Sequence, residues 1–131
     1  MSAEKVIYNL LSTNVALLTV VPKARIYAGV IPIGATYPAL CYNLISSSNN
    51  TTISLGTMKS RSRVQVTVVA TSYPAVKSLA PLVDNACNNK RGTFNGVVTD
   101  SVIMDDIGAD FRDDETGVYY STLDFNIIHN R

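Results

Sequence analysis

Between Ser62 and Thr71 the chain alternates without a break. Val64, Val66, Val68 and Ala70 fall on one side, and Gln65, Thr67, Val69 and Thr71 on the other. A period of two with one apolar side predicts a strand buried on a single face. Such a strand needs a covering layer, and the next segment supplies one. Ser72 is placed to cap a helix, Pro74 is tolerated in its first turn, and Val76, Leu79, Ala80, Val83 and Ala86 form one stripe at helical spacing. Pro81 lies inside this run, where it removes one hydrogen bond and kinks the axis; the helix is expected to reach Asn88, with Asn89 to Gly92 as its stop.

The other segments extend the same pattern. Ser2 can cap a first helix with Val6, Ile7, Leu10 and Leu11 on one face. Thr13 or Asn14 can cap a short second turn that ends at Pro22. Arg25 to Ala28 and Ala39 to Ser46 read as strands, separated by a loop holding Gly29, Pro32, Gly34 and Pro38. Gly96 to Asp105, Ile107 to Asp113 and Val118 to Ile128 read as further strands, with a turn at Asp114 to Gly117 where Gly117 suits a positive φ. The polar stretch from Ser46 to Ser62 is read as a mobile loop or a hairpin arm. Helices, strands, helix, strands is the order of an α+β domain: a largely antiparallel sheet with helices packed on one face. At 131 residues the whole chain is expected to form one domain.

Composition narrows the function. Charged residues make up 16% of the chain, against roughly 25% in ordinary soluble domains, and Ser, Thr and Asn fill the gap. Such a surface suits packing against other protein. The net charge of +1 argues against a dedicated nucleic-acid binder. The halves differ: residues 1–65 carry six basic side chains against Glu4, and residues 66–131 carry five against nine acidic ones. Basic Lys59, Arg61 and Arg63 and acidic Asp105, Asp106, Asp110, Asp113, Asp114 and Glu115 are the candidate contact residues for a neighbouring subunit or partner. Cys41 and Cys87 sit in apolar patterns and are expected to be buried reduced thiols. No apolar run approaches the ~18–20 residues of a membrane span, and no secretory signal is evident. The chain is therefore expected to stay in a cytoplasm, where the Asn49 and Asn50 sequons carry no meaning. His129, the single histidine, has no local nucleophile partner and is expected to fray with the terminus. The acidic cluster fails the calcium-loop template, since the sixth position counted from Asp110 is Glu115 and from Asp106 is Phe111, where glycine is needed. No cofactor, no metal and no catalytic site are expected.

Three stretches taken in order carry a resemblance: ARIYAGVIPIGATYPALCYNLISS, then SRVQVTVVATSYPAVKSLAPLVDNACN, then DDIGADFRDDETGVYYSTLDFNI. An Arg-Ile-Tyr strand before a proline-bearing loop, a strand opening P-x-x-x-Y, an R-V-Q-V strand running into an Ala-rich helix, and an acidic turn ending in Gly-Val-Tyr together resemble the tail completion, or tail terminator, family of long-tailed bacteriophages. The likeness spans roughly residues 20–128; Pro81 and the polar insert at 46–57 depart from the pattern. The resemblance implies a protomer that closes into a homo-oligomeric ring, typically of six, on the end of the tail tube. It implies as partners the tail tube protein and a head-completion or connector protein, with genome DNA passing through the ring and no sequence-specific nucleic-acid contact. It places the protein in the virion tail or neck, and in the host cytoplasm during assembly. Alternatives are another neck or tail component, a small hydrolase using Asp105, Asp106 and Asp110, or a nucleic-acid-contacting module using Lys59, Arg61 and Arg63.

Overall fold

A computed structural model describes residues 2–32, 34–51, 58–108, 111–112 and 117–130. Its spine is the alternating strand, β3 (Met58–Ala70), which pairs antiparallel on both sides. On one side lies β2 (Ala39–Thr51), and on the other β7 (Tyr119–Asn130). Beyond β2, β1 (Ile26–Ala28) adds the one parallel pair. Beyond β7 come β5 (Val97–Ile107) and then β4 (Lys90–Phe94), while the short β6 (Phe111–Arg112) pairs with the start of β7. The order across the sheet is β1-β2-β3-β7-β5-β4. The expected α+β class, a largely antiparallel sheet in one small domain, is what forms.

One face of this sheet carries the apolar alternation, and the helices cover it. Leu40, Val64, Val66, Val68, Val102, Leu123, Phe125 and Ile127 are buried there. Against them pack α1 (Ser2–Thr13), through Ala3, Val6, Ile7, Leu10 and Leu11, and α3 (Tyr73–Cys87), through Val76, Leu79, Val83, Ala86 and Cys87. Between them α2 (Val15–Leu18) adds Leu17, and Val21 follows it. Each Val, Leu, Ile or Phe among them contributes roughly 1.5–3 kcal/mol when withdrawn from water. Two of the caps the sequence offers form: Asn14 Oδ1 accepts the Leu17 N–H at 2.9 Å, and Ser72 Oγ accepts the Ala75 N–H at 3.3 Å, whereas Ser2 lies within α1 as its first residue. Pro81 sits on the exposed side of α3, and the helix continues past it to Cys87.

Two segments need comment: one departs from the sequence expectation, and the other takes the hairpin alternative. Asn89 to Gly92 does not simply stop the helix. Asn89 takes a φ of 59° and gives its N–H to the Val102 carbonyl at 2.6 Å, and the chain enters β4 at once. β4 and β5 then form a two-residue hairpin at Asn95-Gly96, with φ of 52° and 81°. That dipeptide is the usual primed-turn signal and marks the strand that charge and glycine had masked. The polar stretch after Ser46 is the second case. Its backbone is laddered: Ser46 to Thr51 pairs residue by residue with Arg63 to Met58, one bulge past Leu44. The hairpin arm forms over these residues, and 52–57 lies outside the described set. Ser, Thr and Asn hide the strand because alternation is legible only where one face is apolar.

Where β5 gives way to β6, Gly108 donates its N–H to the Thr122 carbonyl at 2.8 Å. A Cβ on residue 108 would lie 2.0 Å from Thr122 Oγ1, so only glycine fits with Thr122 as it stands. Gly108→Ala is expected to destabilise the fold by about 1–3 kcal/mol in urea unfolding, as overpacking does. Adding Thr122→Ala should make the double variant less destabilised than the two single losses combined. Additive losses would show that the contact is not the cause.

Candidate functional site

The face of the sheet turned away from the helices is polar and has no covering layer among the described residues. On β3 it presents Arg61, Arg63, Gln65 and Thr67, and on β7 it presents Thr122, Asp124, Asn126 and Ile128. Arg63 is its organising group. Its Nη2 and Nε donate to Asp124 Oδ2 at 2.8 and 3.3 Å, and its Nη1 reaches across β7 to Asp105 Oδ2. A bulge between Met104 and Asp106 breaks the β5 register beside Asp105, so the guanidinium bridges three adjacent strands. Asp124 and then Asp105 hold the guanidinium still more firmly in its charged form. Asp124 Oδ1 is buried without a hydrogen-bond partner, which leaves this carboxylate dependent on Arg63.

The sequence-derived contact residues therefore divide. Arg63 and Asp105, expected on surfaces that meet a neighbour, are joined inside one chain. Arg61 is exposed on the same face. Lys59 lies in β3 opposite Asn130, and Asp106 in β5 opposite Asp124; their side chains lie outside the described set. So do Asp110, Asp113, Asp114 and Glu115.

His129 overturns the expectation of a frayed end. It is 4% exposed, and its Nε2 lies 3.0 Å from Ser62 Oγ, which in turn lies 3.0 Å from Ser47 Oγ. The reason is the length of the β3–β7 ladder, which continues to Lys59 opposite Asn130 and so holds residue 129 in a strand. Ser60, Ser62 and Thr99 are buried with it, so the helix-side face changes from apolar to polar at the foot of the arm. The signal was available: Phe125, Ile127 and His129 share one parity in the final strand. Cys41 and Cys87 are buried free thiols, and loss of water pushes both above the ordinary thiol range. Among the described residues no group of three or more His, Cys, Asp and Glu could hold a metal. A cleft of about 210 Å³ lies between α3 and the sheet, lined by Lys77, Pro81, Asp84, Ile107, Ser121 and Leu123 among others.

This arrangement suits contact rather than chemistry, and comparison with known proteins agrees. The family model described as "Tail completion protein gp17" matches residues 5–130. The chain belongs to the tail completion family. The tail completion fold also recurs in a solved chain from the "Virion of native gene transfer agent (GTA) particle", with a TM-score of 0.73 at 13% identity, covering 99% of this chain and 98% of that one. No curated protein sequence matches it. As a member of that family the chain is a structural virion protein of the phage tail or neck, not an enzyme.

Removing the bridge should weaken the subunit itself. Arg63→Met is expected to lower the thermal midpoint, whereas Arg61→Met leaves it in place. His129→Ala is expected to cost about 1–3 kcal/mol, the loss typical of leaving buried polar partners unsatisfied. A midpoint indifferent to both Arg63 and His129 would mean that neither contact bears on stability.

Proposed function

We propose that this protein is the tail terminator: it closes into a homo-oligomeric ring, a hexamer by family likeness, on the end of the tail tube. There it stops tube polymerisation and forms the tail side of the head–tail joint. The family match across residues 5–130 supports this reading. The two unlike faces of the subunit suit it, one a helical layer and the other an open polar sheet. The partners are then the tail tube protein below and a head-completion or connector protein above. Genome DNA passes through the ring without being read. Omitting the protein during assembly should give overlong or ragged tubes and headless tails in electron micrographs. Tails of normal length that lack heads would point instead to another neck component, and normal joined particles would end the proposal.

Charge contributes to the subunit contact in this reading. A cyclic ring above two members uses two different patches per subunit. With Arg63 and Asp105 committed to each other, the basic patch is Lys59 and Arg61, and the acidic patch is Asp106, Asp110, Asp113, Asp114 and Glu115. Exposed pairs are worth only ~0–1 kcal/mol each, but a ring repeats them at every contact, and complementary charge sets register. Arg61→Glu should impair ring formation, and Asp113→Lys with Asp114→Lys in the same chain should partly restore it. Ring yield should also fall as salt rises through ~0.1–0.15 M. Rings indifferent to charge reversal and to salt would leave the contact to apolar packing and strand pairing.

A further inference from the structure

β2 is paired on both sides only from Leu40 to Tyr42, where β1 runs beside it. The Tyr42 carbonyl accepts the Gly29 N–H at 3.0 Å, and past that point β2 is paired on the β3 side alone. From Leu44 to Thr51 its other edge has no neighbouring strand among the described residues. Leu44 and Ile45 are 39% and 52% exposed, and Ser46, Ser47 and Ser48 are exposed as well. This stretch contains no Lys, Arg, Asp, Glu or Pro, the residues that normally protect a free edge from pairing. The opposite flank is treated differently. β4 carries Lys90 and Arg91, and where β5 outruns β4 at Val102 the Asn88 side chain takes up the Met104 N–H at 2.8 Å.

We infer that the open edge of β2 is a strand-pairing site for a second copy of this chain, whose β5 segment Ile103–Ile107 supplies the added strand. The inference rests on the ring reading above. Three observations favour this occupant. The two edges lie on opposite flanks of the sheet, so joining them is head-to-tail and leaves the same pair of edges at each end of the growing assembly. β2, β3, β7 and β5 alternate in direction, so β2 and β5 run oppositely and the junction is antiparallel. Ile107 (54% exposed) and Leu44 (39%) both lie on the helix-side face of their strands. They meet across the junction when Ile107 stands opposite Leu44, a register that sets Ile103 beside Ser48 on the open face. In the separate subunit the Asn88 side-chain Oδ1 stands where the backbone carbonyl of a neighbouring strand would, and on joining it yields the Met104 N–H to the neighbour.

Cysteine pairing tests this directly, because Cys41 and Cys87 are buried and leave the parent chain a silent control. Ser46→Cys or Ser48→Cys combined with Ile103→Cys, or Leu44→Cys combined with Ile107→Cys, should give a ladder of disulfide-linked oligomers on mild oxidation, in assembled tails or concentrated protein. The same substitutions made singly should stay monomeric. Leu44→Lys with Ile45→Lys should weaken subunit association by at least about tenfold while the thermal midpoint of the subunit stays unchanged. Dimers from the single β2 cysteines would show two β2 edges paired with each other and overturn the inference. So would a whole panel without cross-links in both tails and free protein. The outcomes separate the two readings: cross-links with normal tails in the protein's absence would sink the terminator role alone, whereas overlong tubes in its absence without cross-links would sink strand pairing alone.

Discussion

The fold depends on one strand being paired along both edges and covered on one face. β3 holds Val64, Val66 and Val68 at zero exposure because β2 and β7 close its flanks while α1 and α3 close the face above. Each closure needs the others. Without the helices, the valines would face water; without β7, the backbone of β3 would be an open edge and β5 would have no sheet to join. Leu40 on β2, Phe125 and Ile127 on β7 and Val102 on β5 continue the same apolar row across the sheet, so the core is a band crossing several strands rather than a pocket under one.

How legible each element is in the sequence follows from how asymmetric its two faces are. β3, β7 and α3 carry strong apolar stripes, and their faces and caps can be read from the residues alone. β4 holds Lys90, Arg91, Gly92, Thr93 and Phe94, which have no stripe at all, and only the Asn95-Gly96 turn betrays it. The outer half of β2 is Ser, Asn and Thr on both faces, so alternation has nothing to act on and pairing with β3 is set by continuation of the register from the apolar half. The family likeness is legible because it rests on the order of segments, which survives where single motifs are weak.

The candidate contact residues are harder to read because charge in a sequence carries no partner. Arg63 and Asp105 are 42 positions apart, and nothing local says that a guanidinium will cross β7 to reach a bulged strand. His129 shows the same limit in reverse: proximity to the end of the sequence suggests freedom, while the length of the neighbouring strand imposes order. Both cases are decided by sheet register, a property of the assembled fold. Register also separates charges spent inside the subunit, such as Arg63 and Asp105, from those such as Arg61 that remain on its surface.

The strand order has a consequence for biogenesis. β7 leaves the ribosome after β3 and β5 and is inserted between them, although those two strands do not pair with each other. A nascent chain that has reached residue 118 therefore holds two half-sheets with sticky central edges and a core lacking Leu123, Phe125 and Ile127. Non-local pairing of this kind is slow, and its precursors are prone to aggregate. The subunit can complete its fold only after synthesis of residues 119–130, so truncated products have no complete sheet to offer to the tail.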